Sequence, residues 1–421
     1  MHHFNYRDDR LFAEDVDINA IADDVGTPFY CYSAATIRRH VRVFRQAFSG
    51  LDALIAYSVK ANSNLSVLKL IREEGAGADV VSGGELARAL EAGIAPTQIV
   101  FSGVGKTRTE MAAALDAGIH QFNVESEPEL YALNEVALSK ETTAPIALRI
   151  NPDVSAGGHE KISTGKAEDK FGVAWGRARA LYKIAAALPG IEVKGVDAHI
   201  GSQIAELAPF EKAFNRLATL IAELRSDGVA IERLDLGGGL GISYGDDKTP
   251  PHPDEYAELI RRIAAPLGVQ LIFEPGRMIV GNAGVLIARV IYVKDGENKK
   301  FVIVDAGMND LIRPALYDAY HAVEPVQRRP GAPENVDIVG PVCETGDRFA
   351  KARALAPVAA GDLVAFMSAG AYGAMQASQY NSRALVPEVL VDGDRFAVIR
   401  RRPAYDDMVS AERAVDWRSQ V

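Results

Sequence analysis

The stretch "IAYSVKANSN", Ile55 to Asn64, climbs through apolar, strand-forming residues and then sets one lysine, Lys60, where the pattern breaks into small polar residues. It belongs to the first of eight such runs. "ALIAYSVK", "AGADVVS", "QIVFSG", "HQFNVES", "PIALRINP", "KGVDAHIGS", "ERLDLGGG" and "VQLIFEPGR" succeed one another between about residues 53 and 277, ending in polar or glycine residues. Between them lie longer Ala/Leu-rich segments of helical period, such as "NLSVLKLIREEGA", "GELARALEAG" and "PFEKAFNRLATLIAELRSDG", several closed by glycine. Eight alternations over this length predict an α/β fold built on a (β/α)8 TIM-like barrel. A doubly wound open sheet gives a similar pattern and is the competing architecture.

After about residue 284 the pattern changes. "GVLIARVIYVKDG", "KKFVIVDAG", "ENVDIVGPVC", "GDLVAFMSAGAY" and "RFAVIRRR" are strand-like and separated by Gly, Asp and Pro turn signals. They predict a mainly β C-terminal domain, a Greek-key-like barrel or sandwich, over residues 284–421, with the barrel over 31–283. Two domains also suit 421 residues at 48% hydrophobic content, because single cores seldom grow beyond roughly 250 to 300 residues.

Composition narrows the function classes. The chain carries 46 basic and 56 acidic residues, a net charge of -10, without the clustered Lys/Arg stripe of a nucleic-acid surface. Its two cysteines, Cys31 and Cys343, lie far apart and lack metal-ligand spacing, so neither a disulfide framework nor a metal site is expected, and a reducing cytoplasm fits best. No apolar run approaches the ~18 residues of a membrane span, and "MHHFNYRDDR" lacks signal-peptide shape. The adjacent His2 and His3 are given no role.

Lys60 therefore sits at the C-terminal end of the first barrel strand, the face on which barrel enzymes build their sites. Alone it reads as an ordinary strand-end lysine. Other strand ends carry chemistry at the same rim: "DVVSGGE" (Asp79, Ser82), "DAHIGSQ" (Asp197, His199, Ser202), "DLGGG" (Gly237, Gly238, Gly239) and "EPGR" (Glu274, Gly276, Arg277). Each has a plain explanation by itself: a flexible turn, a core histidine, half of an ion pair. Together they suit pyridoxal 5'-phosphate, which needs a lysine to carry it, backbone N–H donors for its phosphate, a carboxylate for its ring nitrogen and a flat group against its ring. Lys60, the glycines, Glu274 and His199 match those needs in turn.

"YSVKAN", "HIGSQ", "LDLGGG", "EPGR", "PVCETGD" and "GAY" together resemble the fold type III pyridoxal-phosphate decarboxylases, with an alanine racemase-like barrel, over essentially the whole chain. The resemblance implies that residues 1 to about 30 pack into the β domain. "HEKISTGKAEDKFG" (His159 to Gly172) and "CETGD" make the chain similar to the diaminopimelate decarboxylase branch rather than to the ornithine or arginine enzymes. Its substrate, meso-2,6-diaminopimelate, has a carboxylate as well as an ammonium at the far end. Arg277 and Arg313, with Tyr317 in "IRPALYDAY", suit that carboxylate, and Glu344 the ammonium.

The implied reaction is decarboxylation at the D-centre to L-lysine and carbon dioxide, the last step of lysine biosynthesis. Lys60, His199, Glu274 and Cys343 take the catalytic roles, Cys343 as final proton donor with Lys60 as its competitor. Asp79, Ser202, Gly238, Gly239, Gly276, Arg277 and Tyr372 are the further cofactor contacts, and Tyr372 also reaches substrate. The resemblance implies a homodimer with active sites shared across the interface through Cys343 and Glu344. The segment around "STGKAEDKFG" is expected to form a flap over the site, since it is long for a βα loop. Thr345 and Asp169 stand where relatives often have serine, and Asp169 adds charge to that flap. The remaining alternatives are a sister decarboxylase acting on carboxynorspermidine or another basic amino acid, a catalytically silent regulatory homologue, and a lone-barrel cofactor carrier.

Overall fold

The computed structural model describes residues 2–155, 170–245 and 249–413. The chain forms two compact units, Thr36–Asn282 and Met1–Ala35 with Ala283–Val421.

The first unit contains eight parallel strands, β1 (Ala53–Ser58), β2 (Gly77–Val80), β3 (Ile99–Phe101), β4 (Gln121–Val124), β5 (Ala144–Asn151), β6 (Ile191–Asp197), β7 (Arg233–Asp235) and β8 (Gln270–Phe273). Each pairs with the next in sequence. The ring closes where Leu271 and Phe273 of β8 pair with Ala53 and Ile55 of β1. Closure removes both edges, so the open-sheet alternative fails. Strands buried on both faces explain the near-continuous apolar runs. Several helices between them start at side-chain caps, as where Ser82 accepts from the Glu85 N–H and Thr107 forms a capping box with Glu110.

Side chains alternate inward and outward along each strand, and the inward series changes character toward the C-terminal ends. Ala56, Val100 and Ile272 form an apolar cluster within the barrel. Two residues further along the same strands stand Ser58, Ser102 and Glu274. One pleat thus converts an apolar layer into a polar one.

In the second unit, Phe29–Ser33 pairs antiparallel with the long strand Gly284–Asp295 and parallel with Glu388–Asp392. The sheet continues through Lys300–Val304, Glu334–Val339 and Arg348–Leu355 on one side and Arg395–Arg400 on the other. A three-stranded sheet of Phe4–Arg7, Arg10–Ala13 and Val16–Asp17 lies at the N-terminus. Phe4, Leu11, Ile18 and Phe29 share one apolar core with Val285, Ile287 and Val389. N-terminal and C-terminal residues therefore bury each other's apolar faces.

Candidate active site

Lys60 follows β1 in a single tight turn, Val59–Ala61. Its Nζ lies 2.8 Å from Asp79 Oδ2 at the end of the neighbouring strand β2. Asp79 is fully buried, and the same oxygen accepts from Ser58 Oγ at 2.8 Å. The lysine is half-buried, so its amine sits at the boundary between a buried carboxylate and open space.

Residues Gly237–Gly239 follow β7 where backbone segments crowd together. A Cβ on Gly238 would lie 2.3 Å from the Glu274 carbonyl oxygen, and one on Gly239 2.7 Å from that of Gly201. Gly239 also has φ +105°, a conformation open to glycine. The Gly238 N–H donates to His199 Nδ1 at 3.1 Å, so a neutral His199 carries its proton on Nε2. Burial, then the charges of Arg149 and Lys60, push the imidazole pKa well below its ordinary value. Ser202 Oγ accepts from Arg277 Nε and Nη2 at 3.3 and 3.1 Å, and Arg277 Nη1 bonds the Tyr244 hydroxyl.

Glu274, two residues beyond the inward-facing Ile272, is buried with Oε1 accepting from Ser102 Oγ at 3.1 Å and Asn123 Nδ2 at 3.2 Å. Around it the barrel holds Asp79, Asp197 and Asp235, with Lys60 and Arg149 as cations. Burial first, then the charges of Asp235 and Asp79, raise the Glu274 pKa well above the ordinary carboxylate value, against Lys60 and Arg149. Asp197 is likewise raised by burial and by Glu274. Asp235 is pushed up to about 8 by burial and Asp197, opposed by hydrogen bonds from Asn123 and Gly237. In this low-dielectric interior Glu274, Asp197 and Asp235 hold on to protons.

The other predicted residues belong to the second unit. Arg313 is buried at the start of the helix Arg313–Tyr317, with Nη1 2.8 Å from His321 Nε2. The Tyr317 hydroxyl accepts from Gln376 Nε2 at 3.3 Å. Cys343 is an exposed free thiol whose backbone N–H donates to Asn381 Oδ1 at 3.1 Å. Glu344 Oε2 accepts from the Tyr380 hydroxyl at 3.0 Å. Tyr372 has a left-handed backbone, φ +56°. The expected flap and Asp169 fall largely outside the described residues, but its end is anchored: Gly172 N–H donates to Glu125 Oε2 at 3.1 Å.

Residues 34–281 match the family described as "Pyridoxal-dependent decarboxylase, pyridoxal binding domain". The chain is 49% identical to diaminopimelate decarboxylase of Zymomonas mobilis, over 98% of this chain and 99% of that one. It is 51% identical to the Pseudomonas aeruginosa enzyme, over 97% and 98%. This chain belongs to the diaminopimelate decarboxylase family. The crystal structure of the M. jannaschii member in co-complex with L-lysine superposes with a TM-score of 0.93 at 37% identity, covering 99% of both chains.

Membership in this family makes pyridoxal phosphate the cofactor, and the barrel mouth fits it on its own terms. Asp79 Oδ1, Asp197 Oδ1 and Arg149 Nη2 are buried without a hydrogen-bond partner among the described residues, a polar surplus that a bound polar group would absorb. The crowded glycines leave room for backbone alone. The N–H of Gly238 is already engaged by His199. No group of three or more His, Cys, Asp or Glu among the described residues could hold a metal ion. No helix among them is long and apolar enough to cross a membrane.

Sequence reasoning passed over Ser102, Asn123, Arg149, Asp235 and Tyr244, which join these decarboxylase-family groups. The signal was present as a polar residue at an inward position of an apolar strand, as in "FNV" and "ALRIN". A separate cleft of about 660 Å3 lies at the opposite, N-terminal end of the strands, lined by Asp52, His120, Arg233 and Gln270 among others. None of the predicted site residues lines it.

Proposed function

We propose that this protein removes the D-centre carboxylate of meso-2,6-diaminopimelate as carbon dioxide and delivers a proton to the same carbon, giving L-lysine. The observation that carries this reading is the Lys60–Asp79 pair at 2.8 Å in the barrel mouth that holds Glu274 and His199. When bound there, pyridoxal phosphate supplies an electron sink for the pair left by the broken C–C bond. Lys60 would hold the cofactor covalently through its amine. Glu274 would hold the ring nitrogen, and His199 would pack against the ring. Gly238, Gly239, Ser202, Gly276 and Arg277, with Tyr372, would hold the phosphate, and Asp79 keeps the Lys60 amine in place.

Selection of the far end of the substrate falls to Arg277, Arg313, Tyr317 and Tyr372 for the carboxylate and to Glu344 for the ammonium. Cys343 delivers the proton to Cα, with Lys60 as the rival donor. Decarboxylation by Cys343→Ala in deuterated water separates them: unchanged rate and unchanged stereochemistry at the new C–D bond would remove Cys343 from this role. The protein works as a homodimer in which Cys343 and Glu344 complete the partner's site, a reading supported by the exposure of both residues. A reducing cytoplasm suits the exposed Cys343 thiol.

The test is a visible spectrum of the purified protein before and after meso-diaminopimelate, with carbon dioxide and lysine assayed in the same tube. A cofactor band near ~420 nm that changes with substrate and is accompanied by L-lysine supports the reading. A band without lysine moves the substrate to a sister decarboxylase's, and no band after added pyridoxal phosphate sinks the enzyme reading.

A further inference from the structure

Asn123 stands on β4, fully buried in the barrel interior. Its Nδ2 lies 3.0 Å from Asp235 Oδ2, 3.2 Å from Glu274 Oε1 and 3.2 Å from Ser102 Oγ. Its Oδ1 accepts from Gln121 Nε2 at 2.8 Å, which leaves the NH2 end turned to the two carboxyls. An amide has two N–H groups, so one serves Asp235 while the other is shared between Glu274 and Ser102. Ser102 in turn donates to Glu274 Oε1 at 3.1 Å. Three strands, β4, β7 and β8, and the end of β3 are thereby tied through one neutral side chain.

We propose that Asn123 is a positioning residue for the cofactor site: its amide bridges the Glu274 and Asp235 carboxyls and holds Glu274 as an oriented acceptor for the ring nitrogen. The inference rests on the cofactor reading above. Its physical basis is that two buried carboxyls repel when both are charged, whereas a neutral donor between them stabilises charge on either. The charged groups facing Glu274 are Asp79, Asp197, Asp235, Lys60 and Arg149. Asn123 is the neutral member of the set that reaches two of the carboxyls at once. Asparagine and aspartate are nearly isosteric, so Asn123→Asp changes charge at constant shape and places a third acid between two others. Glu274 then holds its own proton more tightly still and competes less well for that of the ring.

The experiment uses the full chain loaded with pyridoxal phosphate, in Asn123→Asp, Asp235→Asn and the double variant, which restores one amide and one carboxyl to the pair. Three readouts are taken: kcat and KM against pH, pyridoxal phosphate affinity by visible titration of the cofactor-free protein, and thermal midpoint. Asn123→Asp is expected to lower kcat by ~10- to 100-fold with little change in KM, to move the acidic limb of kcat to higher pH and to weaken cofactor affinity. Asp235→Asn, which replaces a buried acid by its neutral near-isostere and so should fold, is expected to move that limb to lower pH. The double variant is expected to regain most of the loss. If Asn123→Asp and Asp235→Asn change the thermal midpoint alone, leaving the kcat profile and cofactor affinity of the parent, the residue is merely structural and the inference is overturned. A parent protein with no cofactor band would instead defeat the underlying reading, which keeps the two failures apart.

Discussion

Lys60 and Asp79 meet at the ends of adjacent barrel strands, amine to carboxylate at 2.8 Å, with the carboxylate fully buried and the amine at the edge of open space. Removing the lysine leaves a buried acid without its cation, the costlier half of a broken pair. Lys60→Ala is expected to retain no pyridoxal phosphate after dialysis, measured by visible absorbance, and to lose activity by more than ~1,000-fold. A variant that keeps its cofactor through dialysis and turns over within tenfold of the parent would contradict the assignment of Lys60.

The buried ionisable groups predict two opposing pH slopes in the cofactor-free protein. Asp235 is held at about 8 in the folded state and titrates near ~3.9 when unfolded. Its proton-linked stability is complete below ~3.9 and is lost as pH rises to about 8. His199 runs the other way: its folded pKa lies well below the ordinary value, so stability falls with pH below ~6.5 as the unfolded imidazole takes up a proton. Urea midpoints should fall less steeply as pH rises from 5 to about 8 in Asp235→Asn. In His199→Gln they should fall less steeply on the acidic side. Parallel curves for parent and variants would refute this account.

Gly238 admits no side chain, because a Cβ would lie 2.3 Å from the Glu274 carbonyl oxygen, a backbone atom. Gly238→Ala is expected to cost roughly 1 to 3 kcal/mol, seen as a lower thermal midpoint. It should also lose cofactor affinity, because relief of the clash displaces Glu274 or His199. Cofactor affinity equal to the parent's would show that the cradle tolerates the shift.

The proposed sharing of active sites across a homodimer makes a sharp prediction for mixtures. Lys60→Ala and Cys343→Ala, each nearly inactive alone, should recover about one quarter of parent activity after dissociation and remixing at equal amounts, because half of random dimers carry one intact site. Recovery is read by lysine formation, with gel filtration to establish that dimers reform. Absence of recovery from reformed mixed dimers would place both residues in one subunit's own site, or remove Cys343 from the chemistry.

The barrel was legible because its signal is local and repeated. Eight apolar runs ending in polar or glycine residues reflect strands buried on both faces with loops free at one end. The same reading marked Lys60, Asp79, His199, Gly238, Glu274 and Arg277, since each breaks a run at its end. Asn123, Ser102 and Arg149 left a weaker signal. They lie within or just past strands, where a single polar residue among apolar neighbours marks an inward position without saying what it meets there.

Local sequence determined where the strands begin and end, which residues stand at the rim, and, through the motifs from "YSVKAN" to "GAY", the family. Closure of the ring was a tertiary decision: alternation is equally compatible with an open sheet until β8 pairs with β1. So was the electrostatics of the interior. Asn123 and Asp235 are 112 positions apart, and Asn123 and Glu274 are 151 apart. They meet because a barrel turns the inward residues of distant strands onto one axis, and no local pattern encodes the low-dielectric company a carboxyl keeps there.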